Sequence, residues 1–319
     1  KILNWYDINK RSLPWRKRFS LKKKQYYTLV SEFMLQQTQV TTVIPYFNRF
    51  IKNIPDLETL ANFDEQKLIK FWEGLGYYSR VRNLKKTAQV IVKDFNKKLP
   101  SNFLELKSLP GIGDYTASAI SAIAFNKPLI PLDGNVERVL KRYLYLKKKN
   151  LIQKENLIKQ KKIFGTSRRS SDYAQALMEL GTLICKPNNP LCAKCPISRK
   201  CTSFIKKDFT LTKITKKNKD KYFLLKVYKK NNKYLLVKND KFNFLKNLNI
   251  FPMTELIKPK NFKQNMNFKM SNMNMSVKIE NNKIIKAIPF SYWIDPKNLK
   301  NYTLPTFTKK IVKYLENHK

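Results

Sequence analysis

Residues 109–113 read Leu-Pro-Gly-Ile-Gly and lead straight into Asp114-Tyr115-Thr116-Ala117-Ser118-Ala119-Ile120-Ser121-Ala122. The spacing predicts two helices joined by a tight turn. Glycines at 111 and 113 let backbone N–H groups approach a ligand closely, and the second helix opens there with the positive end of its dipole. Such a turn suits a phosphate, although a plain helix–turn–helix connection would use the same residues.

Outward from this turn the helical period dominates residues 22–200: Tyr27, Val30, Phe33 and Met34, then Val43, Phe47, Phe50 and Ile51, recur at three- and four-residue spacing. Loops carrying Pro45, Pro55, Pro100 and Pro110 are expected to punctuate it. Residues 1–203 therefore read as one helical domain. A Lys-rich stretch, 204–221, reads as a linker. Beyond it the period changes to that of strands. Residues 222–230 and 233–239 flank Asn231-Asn232, and 276–280 and 283–288 flank Asn281-Asn282, two predicted hairpins. The Asn-, Lys- and Met-rich stretch 258–275 reads as a loose loop and 306–317 as a final helix. The expected architecture is mainly α, with a small α+β domain over 222–319.

The formal charge is +43, from 65 Lys and Arg against 22 Asp and Glu. It favours phosphate polymers or anionic membranes. Lys and Asn are nonetheless abundant in both halves, as codon drift in an AT-rich genome would produce. No apolar stretch is long enough to span a bilayer. No secretion signal opens the chain, which starts at Lys1 rather than Met and leaves room for a few preceding residues, so a cytoplasmic protein is expected. The single histidine, His318, stands beside the chain end, which removes Ser-His-Asp triads and His-ligated zinc. All seven glycines fall between Gly74 and Gly181. Chemistry is expected there, from carboxylates, Tyr, Lys or Ser.

All four cysteines lie in one run, Cys185, Cys192, Cys195 and Cys201, with Pro187, Pro190 and Pro196 bending the chain among them. Four thiolates so close can converge on one soft metal centre. Disulfides and a four-cysteine zinc site are the alternatives that spacing leaves open. Asp133, in Pro-Leu-Asp-Gly-Asn-Val, reads as the N-cap of another amphipathic helix. Glu32 stands among Phe33, Met34 and Leu35. There, desolvation would raise its pKa and suit it to general acid work, whereas a solvated surface glutamate is the plainer reading.

Together these segments resemble the MutY family of adenine DNA glycosylases, in the endonuclease III superfamily. The cysteine spacing is similar to that superfamily's [4Fe-4S] loop, and 109–113 to its helix-hairpin-helix motif. Ser-Glu-Phe-Met-Leu-Gln-Gln-Thr-Gln-Val at 31–40 resembles the MutY signature, as do Leu-Pro-Trp-Arg at 13–16, Trp-Glu-Gly-Leu-Gly-Tyr-Tyr-Ser-Arg-Val-Arg-Asn at 72–83 and Ala-Gln-Ala-Leu-Met-Glu-Leu-Gly at 174–181. The match runs through nearly all of residues 1–201. It implies base excision repair: adenine mispaired with 8-oxoguanine or guanine is flipped out of duplex DNA and removed by hydrolysis. Glu32 would protonate the adenine, and Asp133 would stabilise the oxocarbenium-like sugar.

The resemblance also assigns one [4Fe-4S] cluster to Cys185, Cys192, Cys195 and Cys201. Endonuclease III-type enzymes, the main alternative, carry a lysine nucleophile two residues after the last hairpin glycine. Tyr115 stands there, so a monofunctional enzyme is expected, with Tyr115 supporting the acid–base site and Asn135 orienting Asp133. Gln37, Thr38, Leu75 and Tyr77 would line the base opposite the adenine, Arg80 and Arg82 would contact phosphate, and Gly111 and Gly113 would seat it. The C-terminal half looks like the MutT-like domain that recognises 8-oxoguanine, yet it has no acidic Nudix cluster, so binding is expected rather than hydrolysis. Phe290-Ser291-Tyr292 stands where the family shows Phe-Ser-His. Ser291 is thus the expected lesion reader, and the missing histidine implies weaker discrimination. A bacterial monomer is the expected state. Outside catalysis, the chain reads as an iron–sulfur DNA-binding protein, against which Glu32 and Asp133 both speak.

Overall fold

The structure is a computed structural model that describes residues 1–146, 159, 161–211, 218–257, 259–270, 272–283 and 288–318. In chain order the helices are α1 (Ile2–Asn9), α2 (Leu21–Leu35), α3 (Val40–Asn53), α4 (Leu57–Asn62), α5 (Glu65–Phe71), α6 (Ser79–Asp94), α7 (Phe103–Ser108), α8 (Asp114–Phe125), α9 (Gly134–Tyr143), α10 (Ser170–Glu179), α11 (Thr202–Ile205) and α12 (Thr306–Asn317). The strands are β1 (Lys219–Lys230), β2 (Lys233–Lys238), β3 (Asn249–Ile250), β4 (Met253–Leu256), β5 (Met266–Met270), β6 (Met273–Asn282) and β7 (Ser291–Ile294). Among the described residues no helix is long and apolar enough to cross a membrane. The chain divides into two compact units, Lys1–Asp64 with Ser79–Lys213, and Glu65–Tyr78 with Ile214–Lys319. The sequence reading drew one boundary, at the linker; it did not separate 65–78 from the helices around it.

In the first unit α2 is the central element, buried continuously from Tyr26 to Met34. A helix apolar on one stripe only could not be wrapped in this way. Leu29, Val30, Phe33 and Met34 are sealed in the core with Phe47 and Phe50 of α3. Against α2 packs α8, whose buried positions are mostly small: Ala117, Ser118, Ala119, Ser121, Ala122 and Ala124. Small side chains let the two axes come close, and that approach brings Tyr115 to Glu32. Helix α3 runs through Pro45, where a loop was expected. Its buried Val43, Phe47 and Phe50 hold the helix together in spite of the backbone bond that proline removes. The start of the expected linker is also ordered, because Phe204 and Ile205 close the short helix α11; residues 212–217 lie outside the described set.

The turn between α7 and α8 forms as the sequence predicts. Leu109 and Ile112 are buried, while the Pro110 carbonyl accepts a bond from Thr87 Oγ1 at 2.7 Å. Gly111 has φ +78°, and a Cβ built there would stand 2.7 Å from Asn83 Cβ and 3.0 Å from Phe33 Cε1. Both its backbone angle and its neighbours require glycine.

The sheet of the second unit has the order β3-β2-β1-β6-β5, with β4 also on β1 and β7 on β2. Strand β1 pairs with β6 in parallel and with β2 and β4 antiparallel. Helix α12 covers the sheet, burying Phe307, Ile311 and Val312 with Phe223, Leu225, Leu236, Met275 and Val277. The first hairpin is as expected, since Asn231 and Asn232 both take the left-handed conformation, φ +49° and +57°. The second is corrected. Asn281 and Asn282 do not turn; they continue β6 and pair with Val227 and Tyr228. Strand β6 instead reverses from β5 between Met270 and Met273, within the stretch read as a loose loop. There, Met266, Phe268 and Met270 alternate with exposed Asn267 and Lys269, a period-two pattern masked by the Asn and Lys around it. Residues 284–287, part of the other expected strand, lie outside the described set.

Gly111→Ala should destabilise the first unit by about 3 kcal/mol, the combined cost of a left-handed alanine and an overpacked neighbour. Urea unfolding followed by helical ellipticity checks this; a loss under about 1 kcal/mol would show that the hairpin yields without strain.

Candidate active site

Two helices each contribute a largely polar stripe to one recess in the first unit, and two more contribute a single polar side chain at their starts. From α2 come Thr28, Ser31, Glu32 and Leu35, and from the α10 segment Gln175, Met178, Glu179 and Thr182, both sets at i, i+3, i+4 and i+7. Tyr115 opens α8 and Asp133 caps α9; Asn135, Trp15, Arg11, Arg16 and Thr38 complete the lining. The buried helices thus turn their few polar side chains toward one place, because elsewhere those groups would be desolvated without partners.

Glu32 is 5% exposed and accepts a hydrogen bond from Tyr115 Oη at 3.1 Å. Burial pushes its carboxyl up to about 7; the Tyr115 bond and Arg16 pull the other way, and the charge of Asp133 adds to the rise. Asp133 meets a different environment. Its Oδ1 accepts from the backbone N–H of Val136 at 2.7 Å and of Asn135 at 3.0 Å, and its Oδ2 from Asn135 Nδ2 at 2.9 Å. Burial raises this carboxyl too, but these donors and Arg138 favour its anion. Of two carboxyls that share a recess, the one with the donors ionises first and the other keeps its proton. Tyr115, whose pKa burial lifts well above its ordinary value, stays a hydroxyl donor.

Glu179 is fully buried and accepts from Arg11 Nε at 2.7 Å and Nη2 at 2.8 Å, and from Arg16 Nη1 at 2.7 Å. Burial alone would raise its carboxyl, yet the two guanidiniums outweigh that and hold it below its ordinary value. Arg16 Nε is buried with no hydrogen-bond partner.

A chain of bonds runs from Asp133 to the cysteine loop. Asn135 Oδ1 accepts from Arg138 Nη2 at 2.8 Å, and Arg138 Nε donates to the Cys185 carbonyl at 2.7 Å. Gly181 makes room for it: a Cβ there would lie 2.6 Å from Asn135 Cβ and 2.9 Å from its backbone. The helix widens into a π turn just before the first cysteine, closed by Cys185 N–H to the Leu180 carbonyl at 2.8 Å. All four cysteines are free of disulfides and line one void walled by Val139, Leu180, Ile184 and Ile197. Arg142 Nη1 lies 3.5 Å from Cys185 Sγ, and Arg142 also donates to the carbonyls of Lys186 and Pro187. Burial pushes the Cys195 thiol up to about 11 and raises Cys192 and Cys201. Among the described residues no three such groups converge closely enough for a single metal ion. Four thiols around a shared apolar void are soft donors.

Of the expected site residues, the structure brings Glu32, Thr38, Tyr115, Asp133 and Asn135 together. Gln37 is exposed beside them in the left-handed conformation, φ +57°. Gly113 is exposed at the N-cap of α8. Arg80 is corrected: it is 6% exposed, and its Nη1 donates to the carbonyls of Met34 at 2.8 Å and Gln36 and to Thr38 Oγ1 at 3.0 Å. It ties off the open end of α2 instead of reaching for phosphate. Arg82 is half-buried on α6. In the second unit Leu75 is 6% and Tyr77 45% exposed, and Ser291 is half-buried at the start of β7. Arg11, Arg16, Gln175, Glu179, Arg138 and Gly181 were missed as site residues. The i, i+3, i+4, i+7 spacing within 174–182 was the signal that could have found two of these, Gln175 and Glu179.

Known proteins resemble this chain in sequence and fold. A family model described as HhH-GPD superfamily base excision DNA repair protein matches residues 30–162. An adenine DNA glycosylase of Buchnera aphidicola subsp. Baizongia pistaciae is 40% identical over 258 residues, 79% of this chain and 72% of its own. The human adenine DNA glycosylase is 40% identical over 211 residues, 63% of this chain and 38% of its own. Among solved structures, a thermostable thymine-DNA glycosylase superposes with a TM-score of 0.57 at 26% identity, covering 64% of this chain and 94% of that one. Endonuclease III, in a non-covalent DNA complex, shares the fold at a TM-score of 0.51 and 21% identity, covering 65% of this chain and 94% of that one. With the hairpin, the shared recess and the cysteine loop in one helical unit, the chain belongs to the adenine DNA glycosylases of the MutY family, DNA N-glycosylases of base excision repair.

Proposed function

We propose that this chain removes adenine placed opposite 8-oxoguanine or guanine in duplex DNA, with Glu32 as general acid and Asp133 as the anion beside the sugar. One observation carries the reading: Glu32 and Asp133 line one recess, and of this pair only Asp133 is supplied with N–H donors. The adenine is first rotated out of the duplex, since neither its ring nitrogens nor its sugar carbon is accessible in the stack. Glu32, protonated near neutrality, gives its proton to a ring nitrogen, which weakens the N-glycosidic bond. Positive charge then grows on the sugar, where the Asp133 anion stabilises it until water adds. Tyr115 holds Glu32 in position, Asn135 holds Asp133, and the unpartnered Arg16 Nε is a donor left for the base. With Tyr115 where a lysine nucleophile would stand, that position offers no amine for strand cleavage, which leaves at most weak lyase activity from other lysines.

The hairpin at Gly111 and Gly113 is the proposed seat for a DNA phosphate. Gln37, Thr38, Leu75, Tyr77 and Ser291 are each proposed to meet the base opposite the adenine. Tyr292 stands where the family shows a histidine. It is half-buried, stacks on Tyr302 at 6.5 Å, and burial raises its hydroxyl pKa. Phe290, 83% exposed with φ +54°, stands forward beside Ser291. Cys185, Cys192, Cys195 and Cys201 would hold a [4Fe-4S] cluster, which bridges a wider gap than one zinc ion. With every ligand position filled by the chain, the cluster would supply a cross-link of the loop and no site for substrate.

Base release from an A:8-oxoguanine duplex under single turnover tests the reading. Glu32→Gln should slow it by about a hundredfold or more while duplex binding persists; a variant as fast as the wild type would sink the acid assignment. The wild-type rate should fall as pH rises through about 7, where Glu32 loses its proton. Stability follows the same sign. The folded pKa of Glu32 is raised from 4.5 to about 7, so the folded state binds the extra proton in that window and wild-type stability declines as pH rises through it. Glu32→Gln should therefore gain stability over the wild type between those pH values, by up to about 3 kcal/mol above pH 7, read from denaturant unfolding at pH 5 and 8.5. An equal gain at both pH values would place the burial penalty elsewhere. Elemental analysis of anaerobically purified protein should find iron and sulfide in equal amounts; zinc in their place would reject the cluster.

A further inference from the structure

The turn that follows α5 is Trp72-Glu73-Gly74-Leu75-Gly76-Tyr77-Tyr78, and it lies within the second unit although the chain enters it from Asp64 and leaves it at Ser79 of the first. Its grip on that unit is electrostatic. Glu73 Oε1 accepts from Lys309 Nζ at 2.6 Å and from the Leu304 N–H at 3.2 Å, while its Oε2 pairs with Lys70 Nζ at 2.9 Å. Lys70 Nζ in turn donates to the carbonyls of Lys300 at 2.9 Å and Tyr302 at 3.2 Å. These bonds complement the backbone they meet. The Glu73 carboxylate sits at the start of α12, and the Lys70 ammonium takes carbonyls at the end of the 3₁₀ segment Pro296–Asn301.

An isolated surface ion pair contributes little. Glu73 differs, because its side chain is only 13% exposed and serves two ammoniums and a backbone N–H together. Burial would raise its carboxyl, but Lys309 and Lys70 outweigh that and keep it charged. The turn is stiff. Trp72 is fully buried, its Nε1–H donates to the Gly76 carbonyl at 3.2 Å, and Leu75 N–H returns to the Trp72 carbonyl at 3.0 Å. A shift of Glu73 is therefore carried to Leu75 and Tyr77.

We infer that Glu73 and Lys70 form a clasp through which the C-terminal unit sets the position of the 72–78 turn. Glu73 is thereby a positioning residue for choosing 8-oxoguanine over guanine opposite the adenine. The inference rests on the function proposed above, in which Leu75 and Tyr77 meet the opposite base. Its test uses the full chain in two measurements, hydrogen exchange of the 65–78 amides and single-turnover adenine release from A:8-oxoguanine and A:guanine duplexes.

Glu73→Gln should speed exchange across 65–78. It should also lower the ratio of the two rates about fivefold, the scale of a modest coupling energy, while the A:guanine rate stays within about twofold. The conservative Glu73→Asp, which keeps a carboxylate for both lysines and the Leu304 N–H, should recover most of the ratio, a rescue that generic damage to the turn would not allow. Salt should lower the wild-type ratio toward that of Glu73→Gln and leave the variant's own ratio nearly unchanged. Exchange and ratio both unchanged in Glu73→Gln overturn the clasp, as does a lost ratio without either rescue or salt dependence. A wild type with no preference between the duplexes rejects the lesion-reading function instead, and exchange across 65–78 alone then decides whether the clasp exists.

Discussion

The burial of a carboxylic acid at Glu32 is the constraint on which the first unit turns. A carboxylate sealed in a helical core without donors is unfavourable, so the side chain is held as the neutral acid, with one Tyr115 hydroxyl as partner. Asp133 stands in the same recess under the opposite rule. As the N-cap of α9 it already collects two backbone N–H groups, and Asn135 adds a third donor. One cap interaction thus stabilises a helix and, in the proposed chemistry, keeps an anion where positive charge develops. In the proposed chemistry the two carboxyls differ in role because they differ in hydrogen bonding.

That arrangement depends on close helix packing. Helix α8 can bring Tyr115 against α2 because its buried face is alanine and serine, and α9 can bring Asn135 against the end of α10 because Gly181 leaves no Cβ in the way. Arg138 then joins Asn135 to the Cys185 carbonyl, so the loop that carries the cysteines and the residue that orients Asp133 share one guanidinium. Distortion of the loop would be felt at the carboxylate through three hydrogen bonds. The cysteine loop is in this sense a support for the recess as well as a candidate cluster site.

Much of this was legible in the chain. The 3.6-residue period marked the helical half, the Leu-Pro-Gly-Ile-Gly turn marked the hairpin, and Asn231-Asn232 marked a strand reversal, because each rests on local geometry that residue type fixes. The failures share a cause. Arg80 reads as a surface cation beside Arg82, yet the open carbonyls of α2 lie 46 and 44 residues away along the chain and capture it. Pro45 reads as a loop marker, but long-range burial of Val43, Phe47 and Phe50 overrides the local signal. The strand at 266–270 is composed of Met and Phe among Asn and Lys, and its amphipathic pattern has meaning only beside β6.

Sequence alone therefore determined most of the helices, the glycine hairpin, the cysteine set and the carboxylates with their family resemblance, since these follow from residue chemistry at short separation. Tertiary structure alone decided which polar groups share a recess, that Glu179 is neutralised by Arg11 and Arg16, and that residues 65–78 join the C-terminal unit. Those outcomes are set by contacts between positions some 80 to 230 residues apart, where packing and electrostatics select partners that no local pattern encodes.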